Sequence, residues 1–200
     1  MTFNPKDHYF KKAKKENFVA RSIYKLDEID KKLRIIKAGD KVLDLGASPG
    51  SWSQYASQKV GERGLVLGVD LSPVTVALKN AEFLQGDALK LDWEKILKDR
   101  GLQEGFNVVI SDMAPRTTGI RSADQARSTE LCMWALDIAL ERLKVHGHFV
   151  CKLFHSDDFQ LIKKRIVANF VKFEAVKPHS TRAQSKEIFL VGVDRQRIKP

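Results

Sequence analysis

Residues 42–52 read Val-Leu-Asp-Leu-Gly-Ala-Ser-Pro-Gly-Ser-Trp, an apolar strand running into a turn of small residues. No other feature restricts the possible folds of this chain as strongly. A second apolar run, 65–69, stops at Asp70. In an open α/β sheet the turn after the first strand lets a ligand approach the backbone at a helix N-terminus, and an acid about 20 residues on meets ribose hydroxyls. The dinucleotide fingerprint G-x-G-x-x-G is absent, because Ala47, Ser48 and Pro49 separate Gly46 from Gly50. Asp44, at the end of the strand, would repel a pyrophosphate and attract a ligand that carries an ammonium and a sulfonium. S-adenosylmethionine is such a ligand, and Asp44 and Gly46 are its first candidate contacts. A glycine-rich turn of this kind also serves simply to let strand and helix pack.

Strand-like runs at 41–45, 65–70, 81–85, 106–111, 148–154, 172–176 and 187–193 alternate with helical stretches at 51–60, 92–99, 124–144 and 157–169. Asp and Ser near several of the helix starts are candidate caps. This alternation predicts a doubly wound, mainly parallel seven-stranded sheet with helices on both faces. The connection at 177–186 is too short for a crossover helix, so the last two strands are expected to be antiparallel, with the final one reversed. Ahead of the sheet, Val19, Ile23, Leu26, Ile29 and Leu33 form an amphipathic helical stripe, preceded by a start expected to be flexible. With no internal repeat and no Pro/Gly-rich linker, residues 1–200 are expected to form one domain, 1–37 as a basic extension and helix and 38–200 as the catalytic sheet.

The charge is concentrated at the ends. Residues 1–37 carry 11 Lys/Arg against 5 Asp/Glu and residues 177–200 carry 6 against 2, while the middle balances at 18 against 18. Basic ends on a neutral body suggest a polyanionic partner, nucleic acid first, although terminal lysines also serve solubility alone. Cys132 and Cys151 make neither a C-x-x-C pair nor a zinc spacing and read as reduced thiols of a cytoplasmic protein. His146 and His148 have no other histidine near them, and no metal is expected. Nowhere do 18 apolar residues run together, so no membrane span is expected.

The C-terminal ends of parallel strands gather at one edge of a sheet, where ligands bind. Asp44, Asp70, Asp87, Asp112 and Lys152 all fall there. Pro115 turns the chain just after Asp112 and holds that acid at the rim. Lys152 lies in Phe-Val-Cys-Lys-Leu-Phe (149–154), an apolar strand in which an unpaired ammonium is costly. A nearby acid such as Asp112 would keep it in place, and partial desolvation would favour the neutral amine that a general base requires. The same lysine could instead snorkel to solvent from the strand end. By pattern alone, Lys25 and Glu187 are surface charges.

The chain resembles the RrmJ/FtsJ family of ribosomal RNA 2′-O-methyltransferases over nearly its whole length. The resemblance rests on Ser-Ile-Tyr-Lys-Leu-Asp-Glu-Ile (22–29), Asp-Leu-Gly-Ala-Ser-Pro-Gly-Ser-Trp-Ser-Gln (44–54), Gly-Val-Asp-Leu-Ser-Pro (68–73), Ser-Asp-Met-Ala-Pro (111–115), Val-Cys-Lys (150–152) and Ser-Lys-Glu (185–187). It implies a Rossmann-like fold dependent on S-adenosylmethionine and a Lys-Asp-Lys-Glu tetrad at Lys25, Asp112, Lys152 and Glu187. It further implies cofactor contacts from Gly50, Trp52, Asp70, Asp87 and Asp112. Ser51 stands where the family usually has glycine, and Arg116 where it often has asparagine. The Asp-Met-Ala-Pro form looks like the branch acting on large-subunit (23S) ribosomal RNA, methylating a uridine. A tRNA-directed relative and a noncatalytic ribosome-assembly RNA-binding protein are the alternatives. Lys11, Lys12, Lys14, Lys15, Arg21 and Arg182 are expected to meet RNA phosphates.

Overall fold

The computed structural model describes residues 8–182 and 184–197. Seven strands form one sheet: β1 (Lys41–Leu45), β2 (Leu65–Asp70), β3 (Ala81–Gln85), β4 (Phe106–Ser111), β5 (Leu143–Phe154), β6 (Phe170–Val176) and β7 (Glu187–Arg195). Their order is β3-β2-β1-β4-β5-β7-β6. Every pairing is parallel except those of β7, which runs antiparallel to both β5 and β6. The expected reversal of the last strand is therefore observed, with β7 inserted between its two partners rather than added at the edge. The strand order reverses between β1 and β4, the place where open α/β sheets leave a crevice.

Alternation along the strands sorts the side chains into two cores. Leu43, Leu67, Val109, Phe149 and Leu190 face α4 (Trp93–Asp99), α5 (Arg121–Arg142) and α6 (Phe159–Asn169). Val42, Val66, Ile110, Val150 and Phe189 face α2 (Ile23–Leu33) and α3 (Ser51–Val60). Two-sided burial explains why the central strands read as continuous apolar runs.

The structure changes the sequence reading at several element boundaries. The stripe keeps Ile23, Leu26 and Ile29 buried in α2, but Val19 precedes that helix and is 47% exposed. Its N–H donates to Gln54 Oε1 at 2.9 Å. Part of the start expected to be flexible is ordered: His8–Lys15 form a helix, α1. Its attachment is aromatic, with Tyr9 and Phe18 against Tyr24 and the Lys12 ammonium 4.5 Å from the Tyr24 ring centre. Residues 1–7 of the expected extension lie outside the described residues. α5 starts at Arg121 instead of 124, and Asp124 uses its carboxylate to accept the Thr118 and Gly119 N–H groups. Asp92 caps α4 as expected, accepting from Lys95 N at 3.0 Å, whereas Ser22 and Asp158, at the N-cap positions of α2 and α6, make no side-chain cap bond.

Candidate active site

The C-terminal ends of β1, β2, β3 and β4 open into a cavity of about 480 Å³. Gly46, Asp70, Asp87, Asp112, Met113 and Trp134 are among its walls. Gly46 has φ +76°, and a Cβ there would stand 2.4 Å from Met113 Cγ, so the turn must be glycine for backbone to form this wall. Asp70 ends β2 with both oxygens held by backbone, accepting from Ser48 N at 3.0 Å and Ser72 N at 2.7 Å. Each carboxylate oxygen keeps further acceptor capacity for a ligand hydroxyl. Asp87 is oriented in the same way by Leu89 N at 3.0 Å.

Asp44 lies deeper. It is fully buried, accepts from Ser53 Oγ at 2.6 Å through Oδ2, and has no partner for Oδ1. Burial pushes its carboxyl up to about 7, helped by the neighbouring Asp112 and Asp70 charges and opposed by the Ser53 hydroxyl. An unpartnered buried oxygen is costly unless something satisfies it. Three acids in the wall, Asp70, Asp87 and Asp112, with the orphan oxygen of Asp44 behind it, suit a ligand carrying positive charge, and Asp70 suits its ribose. The donor set thus fits S-adenosylmethionine. Sequence reasoning missed the apolar walls. Leu71 and Leu89 are 72% and 48% exposed, and Trp134 projects from α5 beside Leu131 and Ile138. The spacing of the last three looks like ordinary core, whereas a leucine next to the strand-end acid Asp70 was a usable signal.

Gly50 and Trp52 do not line this cavity. Gly50 takes φ +112° ahead of α3, and a Cβ there would stand 2.4 Å from Val76 Cγ1. Trp52 is buried against Phe189, ring centres 5.6 Å apart, and donates Nε1–H to Ser22 O at 2.9 Å. Next to it, Ser51 Oγ lies 2.7 Å from Ser22 Oγ, so the serine standing at a usual glycine position ties α3 to the start of α2.

The four tetrad positions come together as two ion pairs. Ser111 is level with Cys151 in the β4–β5 register, which puts Asp112 beside Lys152. Lys152 Nζ lies 2.9 Å from Asp112 Oδ1 and 2.5 Å from Asp112 O, with only 6% of its side chain exposed. The lysine therefore does not snorkel; its strand mate Val150 fixes it on the α2–α3 face. Phe189 is directly across from Lys152 on β7, and Glu187, two residues away, shares that face. Lys25 Nζ meets Glu187 Oε1 at 2.5 Å and lies 5.7 Å from the Phe189 ring centre. Phe189 is thus the common floor of both pairs. Lys25 and Glu187 border a second cavity, also about 480 Å³, with Arg21, Ser22, Arg182 and Ser185. Glu28 ties the segment just before Arg182 to α2 by accepting from His179 N at 2.5 Å and Ser180 N at 2.9 Å.

Among the described residues no group of three or more His, Cys, Asp or Glu could hold a metal ion, and no helix is long and apolar enough to cross a membrane. The two cysteines are free and buried, with their sulfurs 2.9 Å apart between α5 and β5.

Residues 18–195 match the family described as FtsJ-like methyltransferase. A Bdellovibrio bacteriovorus protein named Ribosomal RNA large subunit methyltransferase E is 63% identical over 196 residues, 98% of this chain and 100% of that protein. The protein of the same name from Desulfatibacillum aliphaticivorans is 49% identical, covering 94% of this chain and 89% of its own length. Among solved structures, a Plasmodium falciparum protein assigned to the ribosomal RNA methyltransferases superposes with TM-score 0.79 at 24% identity, covering 89% of this chain and 98% of that one. Aeropyrum pernix fibrillarin with bound S-adenosyl-L-methionine superposes with TM-score 0.58 at 19% identity, covering 86% and 76%. These two share the fold.

Proposed function

Because the chain belongs to the FtsJ-like methyltransferase family, we propose that it methylates a ribose 2′-hydroxyl of RNA, at a uridine of large-subunit ribosomal RNA, within the large ribosomal subunit in the cytoplasm. S-adenosylmethionine is the cofactor, and when bound it supplies an electrophilic methyl group on a sulfonium. The observation that carries the reading is the buried Lys152–Asp112 pair, which stands between the strand-end cavity and the Lys25–Glu187 pair. The ribosomal substrate is supported by the full-length relatives named for it.

A neutral lysine amine has two N–H donors and one lone pair. Asp112 offers an acceptor for each donor, Oδ1 and O, which leaves the lone pair for the ribose hydroxyl. Lys152 takes the hydroxyl proton, because that hydroxyl is too weakly acidic to ionise before it is methylated, while the bound cofactor would give up its methyl group and leave as the neutral thioether. The resulting ammonium keeps Asp112 as its counter-charge. Lys25 and Glu187 hold the ribose on the other side. Asp44, Asp70 and Asp87 bind and orient the cofactor, with Gly46 as the backbone wall. Lys11, Lys14, Lys15, Arg21 and Arg182 meet phosphates. Lys12, drawn over Tyr24, also holds α1 in place.

The test is incubation of the chain and S-adenosylmethionine with separated large subunits, small subunits and tRNA, followed by mapping of 2′-O-methylation. One new 2′-O-methyluridine in large-subunit RNA is expected. Methylation of a base, or of tRNA alone, would overturn the reading.

A further inference from the structure

A cleft that the mechanism leaves unused continues the ribose-side cavity. Gln184 and Ser185 border both that cavity and a third one, which Arg121, His155 and Lys186 share with a fourth that ends at Lys177. The tetrad therefore lies at one end of a groove that passes between the N-terminal end of α5 and the β6–β7 connection. Arg121, Lys177 and Lys186 are exposed, and no other described residue bonds to their side chains. The acids on the walls do not cancel this charge. Asp124, which accepts from Thr118 and Gly119, and Asp157 are two acids against the three cations, so the lining keeps a net positive charge. His155 stands at the middle of the groove, its backbone tied to Lys186 O and Gln125 Nε2, so its exposed ring has a fixed base. That ring lies 5.7 Å from Phe159 and beside Phe154.

A net positive lining, an anchored planar ring and a groove beginning at the reacting ribose together match single-stranded RNA, which proteins hold by phosphate charge and by stacking. We propose that this groove holds the nucleotides adjoining the methylated one. Arg121 and Lys186 meet their phosphates, and His155 offers a stacking face for the neighbouring base. These are positioning residues, and the inference rests on RNA being the substrate. It adds a second binding arm, on the side of the tetrad away from α1.

The experiment pairs methylation kinetics on large ribosomal subunits with binding of a labelled 12-nucleotide single-stranded RNA across a salt series. The double variant Arg121→Ala, Lys186→Ala is compared with wild type and with Lys95→Ala on α4. Expected for the double variant are a KM for RNA raised about tenfold, a kcat within about twofold, unchanged cofactor affinity, and a salt slope smaller by about 1.4, or about 0.7 for each lost single-strand phosphate contact. His155→Ala should weaken oligonucleotide binding about fivefold with the slope preserved, since stacking releases no counterion. An unchanged slope and KM in the double variant, equal losses in Lys95→Ala, or oligonucleotide binding by wild type that ignores salt would each overturn the groove. If wild type methylates no ribosomal RNA, the functional reading falls instead, while the salt slopes still judge the groove.

Discussion

The cavity bordered by Asp112 and the one bordered by Lys25 and Glu187 have similar volumes, but they are built differently. The cofactor side is assembled from the C-terminal ends of four adjacent strands, at Gly46, Asp70, Asp87 and Asp112, each followed by its own loop. The proposed ribose side joins Arg21, Ser22 and Lys25, at the start of α2, to Arg182, Gln184, Ser185 and Glu187, at the entry to the reversed strand β7. The first follows from sheet direction alone, whereas the second exists because a helix near one end of the chain packs over a strand near the other. Binding and chemistry should therefore fail separately.

The largest effect is expected at the junction. Lys152→Ala removes the proton acceptor and should lower kcat on the order of 10²–10⁴-fold, with cofactor dissociation within about threefold of wild type, read by Trp134 fluorescence. Wild-type turnover in that variant would dissolve the boundary between the two sides. A smaller loss is expected on the cofactor side alone. Asp70→Ala deletes a carboxylate aimed at the ribose and should weaken cofactor binding about 10–100-fold, the usual range for a hydrogen bond to a charged group. RNA affinity should not change, and a matching loss there would mean that the cavities are not independent.

The smallest and most specific effect is one of pH. The Asp44 carboxyl, raised to about 7 by burial, keeps a proton between about pH 4 and 7 that an unfolded aspartate, with its pKa near 3.9, has lost. Stability should fall as pH rises through that window and level off above it. A cationic ligand favours the ionised form, so cofactor binding should release a proton below pH 7 and tighten about tenfold between pH 6 and 8. Asp44→Asn should flatten both profiles, and a persisting slope would assign the titration to another group.

Family membership, the sheet and the strand-end acids were legible because each is written locally, in apolar runs, turn residues and the acid at each strand end. Other features were not. Val19 looks like a stripe residue, yet α2 begins four residues later because the chain first bonds to Gln54. Trp52 looks like a ligand contact from its motif, yet it fills the space between Ser22 and Phe189. Lys25 and Glu187 carry no pattern of their own, and only the family resemblance singled them out.

By itself, the sequence determined the alternation of strand and helix, the glycine at 46 and the row of acids at the strand ends, since backbone conformation and period are local properties. Tertiary structure alone decided that Lys25 meets Glu187, 162 positions away, and that Lys152 reaches the backbone oxygen of Asp112 as well as its carboxylate. Those contacts depend on strand order and on which helix covers which face, and packing of the whole chain settles both.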